Sequence, residues 1–393
     1  MRISIISDLH LGFGQNTERE EDSFKAFAEA VEKSLDCDLI ILGGDMFDVR
    51  IPGTEVFTKA IGILKKALEK ENRVKVLAGI NKNIGEFPLI KKGIPVVGIA
   101  GNHERRVKGL LNPVEALERV GFLVYLHCNG VIVENDGIKI AIQGMSSVPD
   151  QYAEAVLSEW NPKPVDGCFN ILLMHQSIAP FLYAPYLIPL EKVPRGFDLY
   201  INGHVHGAVK AEYEGKPFII PGSLLPTQIT KDLDKHTFCK VDVQGQKIKE
   251  INFFELENQR DIFYLEYLDE NVQLKNIEDR LAQILKVKRN AKPIIKIVIG
   301  NNLPIKEVIE RCKDECIVYY NKKGAEQEIK RAEAKVDTIE SVNELGRRFL
   351  RENLKKTGLD TQSFETIFEL LEDNKTQEAE AVLEKVARKG GNI

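Results

Sequence analysis

The stretch IISDLHLG (residues 5–12) sets an acid, Asp8, and an imidazole, His10, directly after an apolar run, with Gly12 and Gly14 beyond them. The same grammar recurs along the chain. LIILGGD (39–45) ends an apolar run in Asp45, VVGIAGNHE (96–104) in Asn102 and His103, ILLMH (171–175) in His175, and LYINGHVH (199–206) in His204 and His206. Any one buried histidine is ordinarily a satisfied core residue. Five of the seven histidines at the ends of apolar runs, with three acid or amide partners, make that explanation poor. If the runs are strands of an α/β sheet, their carboxyl ends form one edge, where ligands bind. Seven converging O and N ligands (two carboxylates, one amide, four imidazoles) suit a pair of divalent ions such as Mn²⁺, Fe²⁺ or Zn²⁺ more than Ca²⁺ or one tetrahedral zinc. Two ions about 3.5–4 Å apart clamp a phosphoryl group and lower the pKa of a bound water. The glycines beside Asp45, Asn102 and His204 are expected to let the backbone turn sharply there.

The elements that must carry these residues can be read from periodicity. Short Ile/Val/Leu-rich runs at 2–6, 38–42, 95–99, 139–143, 170–174, 198–201, 217–220, 238–243 and 248–253 predict strands. Phe24, Phe27, Ala28 and Val31 share a face over 22–35, as do Phe57, Ile61, Leu64 and Leu68 over 55–69, which predicts helices. Alternation early and strand pairs late predict an α/β sandwich of mixed sheets over residues 1–254. Residues 255–333 read as a small α+β unit: FYLEYL (263–268), a helix with Ile277, Leu281, Ile284 and Leu285 on one face, IIKIVI (294–299), a helix at 305–313 and IVYY (317–320). A polar linker near 334–338 leads to short amphipathic helices, so 334–393 is expected to be a linker and helical tail.

Composition adds boundaries. A 393-residue chain suggests about two to three domains. With 29% charged residues and a formal net charge of −5, any basic surface for nucleic acid must be local. Six scattered cysteines, without a zinc-ligand pair of pairs, read as reduced thiols of a cytoplasmic protein. No signal peptide is expected, and no apolar run approaches the roughly 20 residues that span a bilayer.

The set D-x-H (8–10), G-D (44–45), G-N-H-E (101–104), His175 and G-H-V-H (203–206) resembles the calcineurin-like metallophosphoesterase superfamily over roughly residues 1–225. The resemblance implies one ion held by Asp8, His10, Asp45 and His206, and another by Asp45, Asn102, His175 and His204, with Asp45 bridging. It implies that His103 binds no metal, contacts the scissile phosphate and protonates the leaving oxygen. The whole chain is similar to DNA double-strand-break repair nucleases, the Mre type of archaea and eukaryotes and the SbcD type of bacteria. The similarity rests on SDLHLGFGQNTEREEDSFKAFAEAVEKSLDCDLIILGGDMFD, on LLNPVEALERVG after G-N-H-E, and on the order of nuclease region, capping domain and helical tail. It implies two Mn²⁺ ions, exo- and endonuclease action on single- and double-stranded DNA ends, a homodimer, and a coiled-coil ABC-type ATPase bound by the tail. Val342, Leu345, Phe349, Phe364, Phe368 and Leu371 would be its anchors there. A terminal cap on the chain's own domain is the plainer role for those helices.

Three features depart from that pattern or stand apart. Asp48 occupies the position where the archaeal and eukaryotic branch often has histidine. Residues 78–93 look like an added segment. Residues 181–189 (FLYAPYLIP) form an apolar, aromatic loop after His175, read first as core packing and second as a substrate wall or hinge. Arg50, Arg105, Arg106 and Lys108 lie beside the metal motifs as candidate phosphate contacts, although solvated loop charges are as usual. Two other functions compete: another phosphoesterase of the superfamily (a phosphatase or phosphodiesterase), and a DNA-end-binding scaffold with weak catalysis.

Overall fold

A computed structural model describes residues 1–322 except 72, 85–92, 108, 232–235, 270–271 and 301–302; beyond 322 it describes Thr366 and Val382, both helical. Contacts divide the chain into two compact units, Met1–Val298 with Asn302–Tyr320, and Ile299–Asn301 with Asn321–Ile393. The linker and tail expected at 334–393, and the anchors Val342, Leu345, Phe349, Phe364, Phe368 and Leu371, lie outside the described residues.

The order is β1 (Arg2–Ile6), α1 (Asp22–Lys33), β2 (Leu39–Leu42), α2 (Thr54–Leu68), β3 (Lys75–Ile80), β4 (Val96–Gly98), α3 (Pro113–Arg119), β5 (Val124–Tyr125), β6 (Asn129–Asn135), β7 (Ile138–Met145), α4 (Asp150–Trp160), β8 (Phe169–Met174), β9 (Leu199–Asn202), β10 (Val209–Tyr213), β11 (Lys216–Ile220), β12 (Thr237–Gln244) and β13 (Lys247–Glu255). Then come β14 (Ile262–Tyr267), α5 (Leu274–Leu285), β15 (Ile294–Ile299), α6 (Ile305–Cys312) and β16 (Ile317–Lys322). One mixed sheet runs β13-β12-β1-β2-β4-β5 and a second β10-β11-β9-β8-β7-β6-β3.

The strand period of two explains the layering. In β1 and β2, Ile3, Ile5, Leu39 and Ile41 point one way, against Ile140, Ile142, Ile171, Leu173 and Ile201 of the second sheet. Ile6, Ile40 and Leu42 point the other way, against Phe24, Phe27 and Val31 of α1 and Leu64 of α2. Leu172, Met174 and Tyr200 cover the far face of the second sheet and meet Ala153 and Leu157 of α4. The result is a helix–sheet–sheet–helix sandwich, as the patterning predicts. Strands buried on both faces read as unbroken apolar runs.

Residues 78–80, in the segment that looked added, close the edge strand β3, which pairs antiparallel with β6. The third sheet, β14-β15-β16, accompanies α5 and α6. Its leading chain is held to α1 by polar contacts. Glu29 accepts the backbone N–H groups of Glu257 (2.6 Å) and Asn258 (2.8 Å), and Arg260 Nε donates to Asp22 at 2.9 Å. A cleft of about 890 Å³ opens between α1 and residues 257–261 and 288–291, and no histidine lines it. Leu64, Val114 and Leu117 are buried in the chain's own core, whereas Leu110 and Leu111 are exposed. All six cysteines are free. Among the described residues no helix is long and apolar enough to cross a membrane.

Candidate metal centre

Strands β1, β2 and β4 are parallel neighbours in one sheet, and β8 and β9 in the other. Their carboxyl ends deliver Asp8 and His10, Asp45, Asn102 and His103, His175, and His204 and His206. The edge is therefore shared by two stacked sheets, where the sequence suggested one. The loops are stitched to each other. Asp8 N–H donates to Gly44 O (3.0 Å), His10 N–H to Asp45 O (2.9 Å), His103 N–H to Asp45 Oδ1 (2.9 Å) and His204 N–H to the Asp8 carboxylate (3.2 Å). Glu104 is fully buried and accepts Phe47 N–H and Gly101 N–H, each at 2.6 Å, one on each of its oxygens. It ties the Asp45 loop to the Asn102 loop.

Four of these residues hold a left-handed backbone without being glycine: Asp8 (φ 53°), His10 (47°), Asp45 (46°) and His204 (75°). Such conformations cost free energy and persist where the surroundings over-determine them. The neighbouring glycines act chiefly through space. A Cβ on Gly101 would stand 2.0 Å from Asp45 Oδ1, and one on Gly203 2.4 Å from Gly43 O. Of the three glycines beside the motifs, only Gly44 also needs a positive φ.

The donor atoms gather in two groups, Asp8–His10–His206 and Asp45–His175–His204. In the first, His10 Nε2 faces His206 Nε2 at 3.2 Å, and His206 Nε2 lies 3.9 Å from Asp8 Oδ1. In the second, Asn102 Oδ1 stands 3.2 Å from His175 Nε2 and 3.0 Å from His204 Nδ1, with Asp45 Oδ2 3.4 Å from His175 Nε2. The other nitrogen is hydrogen-bonded in His175, His204 and His206, and in His10 it stands beside a carboxylate without hydrogen-bond geometry. His175 Nδ1 meets Gly43 O at 2.8 Å, His204 Nε2 meets Ser177 Oγ at 3.1 Å, His206 Nδ1 meets Thr227 Oγ1 at 3.1 Å, and His10 Nδ1 lies 3.3 Å from Asp48 Oδ1. Ligating histidines characteristically donate their second N–H to such partners, which leaves the inward nitrogen bare. Lone pairs and carboxylate oxygens that point at one another need a cation between them, so the donor set fits divalent metal.

Electrostatics agree. Burial, together with neighbouring imidazoles, pushes His204 and His206 down to about 4, so they are neutral ligands at pH 7. Burial would lower His175 too, but the Asp45 carboxylate opposite it wins and raises it to about 9. Asp45 is lowered in return: burial opposes its charge and the facing His175 outweighs burial. Burial lifts Asp8 to about 6.

His103 borders both groups. Its Nδ1 donates to Asp48 O at 2.8 Å, its ring meets His10 edge-on at 4.7 Å, and it is partly exposed. Nε2 is thus left to act outward. Asp48 also groups with His10 and His103, through its carboxylate 3.3 and 3.7 Å from their Nδ1 atoms. Arg50 is exposed, Arg105 and Arg106 are half-buried, and Lys108 lies outside the described residues. The loop at 181–189 is core at its roots, where Ile188 is buried and Phe181 stacks on Phe218, and open at Tyr183 and Tyr186. Ser177, Asp150 and Thr227, which brace the histidines, escaped the sequence reading because no motif spacing marks them.

The family model described as calcineurin-like phosphoesterase matches residues 1–208, more than half of the chain. The chain belongs to the calcineurin-like phosphoesterase family. Within that family it is similar to proteins called DNA double-strand break repair protein Mre11. The Methanopyrus kandleri protein is 26% identical over 84% of this chain and 72% of its own. The Sulfolobus acidocaldarius protein is 25% identical over 98% of this chain and 99% of its own, and that of Saccharolobus solfataricus 28% over 79% and 77%. A calcineurin-like phosphoesterase is a metal-dependent hydrolase, and the two donor groups lie within the matched residues.

Proposed function

We propose that the chain is a Mn²⁺-dependent nuclease, with exo- and endonuclease action, that processes DNA ends in double-strand-break repair. The observation that carries the reading is the donor set itself: four imidazoles, three of them with the second nitrogen hydrogen-bonded, face two carboxylates and one amide, with His103 Nε2 beside them. The similarity to Mre11 proteins, which reaches 98% of the chain in one of them, supports DNA ends as the substrate. On this reading Asp8, His10, Asp45 and His206 hold one ion, and Asp45, Asn102, His175 and His204 the other. Bound there, the ions polarise the phosphodiester and supply a water of lowered pKa. His103 contacts the phosphate and donates a proton from Nε2 to the leaving oxygen, while its Nδ1–H stays on Asp48 O. Arg50, Arg105 and Arg106 are the candidate contacts to the phosphate backbone, with Lys108, outside the described residues, a fourth candidate from the sequence.

The same reading divides the chain into a nuclease domain (1–254), a capping domain (255–333) and a partner-binding tail (334–393). It places the protein in the cytoplasm, as a homodimer bound to a coiled-coil ABC-type ATPase. Asp48, at the position of the family histidine, favours one alternative, a DNA-end scaffold with weak catalysis. Cleavage of linear DNA and of a generic phosphomonoester, with and without Mn²⁺, separates the readings. Manganese-dependent loss of DNA ends is expected. Turnover of the monoester alone would make the chain a phosphatase, and DNA binding without cleavage a scaffold. Pull-down of the ATPase by the full chain but not by residues 1–335 is expected if the tail docks it.

A further inference from the structure

We propose that Asp150 is a positioning residue: acting through Ser177, it fixes the tautomer and aim of His204 at the metal centre. The inference rests on the proposed ligand set and adds the groups that hold one member of it.

The geometry starts at the sheet edge. The Asn202 side chain spans the ends of β8 and β9, accepting Gln176 N–H at 3.1 Å and donating to Gln176 O at 3.0 Å. That clamp sets Ser177, which is buried, beside His204. Ser177 Oγ lies 3.1 Å from Asp150 Oδ1 and 3.1 Å from His204 Nε2. A serine hydroxyl has one proton and a carboxylate offers none. The serine proton therefore goes to Asp150, and Ser177 Oγ must accept from His204. Nε2 carries the hydrogen, and Nδ1, 3.0 Å from Asn102 Oδ1, presents its lone pair to the ion. Without Asp150, the hydroxyl can turn and donate to Nε2, which would put the ring hydrogen on Nδ1 and close the ligand. Asp150 opens α4, far in sequence from both partners, and belongs to no motif.

The test is a metal titration of the full-length chain by calorimetry, with Mn²⁺ as the probe. His204→Ala first identifies the ion that uses His204. Ser177→Ala and Asp150→Ala should each weaken that ion roughly 10–100-fold, as loss of an outer-sphere partner does, and leave the other ion unchanged. The double variant should bind no more weakly than Ser177→Ala, because Asp150 acts only through the hydroxyl. Asp150→Asn, which keeps an acceptor oxygen, should recover most of the affinity. Additive losses, or an unchanged titration in Asp150→Ala, overturn the proposal while leaving the ligand set standing. An unchanged titration in His204→Ala overturns the ligand set and the proposal with it. Should the variants not fold, ¹⁵N spectra of histidine-labelled, zinc-loaded wild type decide: hydrogen on Nε2 of His204 is expected, and hydrogen on Nδ1 overturns the proposal.

Discussion

His175 Nε2 stands 3.4 Å from Asp45 Oδ2, and both side chains are shut off from solvent. Without metal this is an ion pair, because the aspartate raises His175 to about 9. A cation at Nε2 needs that nitrogen bare, so metal uptake at neutral pH must expel the proton. Affinity should fall as pH drops below about 9. The same shift gives the metal-free protein stability that is full below the unfolded imidazole value and is lost as pH rises through about 9. Calorimetry at pH 7.5 in buffers of different ionisation enthalpy should detect proton release; identical enthalpies would show that no proton leaves His175 on metal binding.

Asp45 anchors His103 N–H through one oxygen and faces His175 with the other. As the proposed bridge, its loss should lower metal content at both positions. Metal analysis of Asp45→Ala that still returns two ions per chain would refute the bridging assignment.

The His103 ring is held by Asp48 O through Nδ1, and it is the backbone N–H, not the ring, that reaches Asp45. His103→Ala should keep its ions and lose a factor on the order of 10²–10⁴ in DNA cleavage. Full activity in that variant would exclude it from proton transfer.

Space at Gly101 is fixed by Asp45, 2.0 Å from where a Cβ would be, whereas a Cβ at Gly62 in α2 meets nothing within 4 Å. Gly101→Ala should therefore abolish metal binding and destabilise the chain. Gly62→Ala should stabilise it by about 0.5–1 kcal/mol, since alanine loses less backbone entropy in a helix. Denaturant melts of the two variants give opposite signs if the close approach is what matters.

Arg50, Arg105 and Arg106 offer charge next to the site in a chain of net charge −5. If each neutralises one phosphate, changing one to Gln should flatten the plot of log affinity against log salt by about 0.9 for duplex DNA. A slope that stays the same in all three variants would place the DNA path elsewhere.

The strands carrying Asp8, Asp45, His175 and His204 were legible because burial on both faces leaves an apolar run that a glycine or polar residue ends abruptly. Chemistry was legible for the same reason: a charged residue at the end of such a run has little to do but bind. The edge strands β3, β5 and β10, and β6 beside β3, were missed. β3, for example, reads KVLAGI with no residue buried and an interior glycine, which resembles a loop in sequence. Helix α4 was missed because it buries only Ala153 and Leu157, too few to show a periodicity. The braces Ser177, Asp150 and Thr227 are common polar residues, and only the fold brings them to the histidines.

One pairing in the first sheet sets the order in which the molecule can come into being. Strand β1, which delivers Asp8 and His10, lies between β2 and β12, and Arg2 meets Asp242, 240 residues downstream. A chain leaving the ribosome carries Asp8 from the start, yet β1 lacks a partner on one side until β12 emerges, and His204 and His206 also come late. The catalytic centre is thus assembled last, from the two ends of its own domain. Long-range pairing of this kind folds slowly. On the proposed function, a growing chain would be inert until its domain is whole. Ribosome-stalled chains ending near residue 230 should bind no Mn²⁺, and those ending near 300 should; metal capture by the shorter chain would show that the centre forms before its sheet is closed.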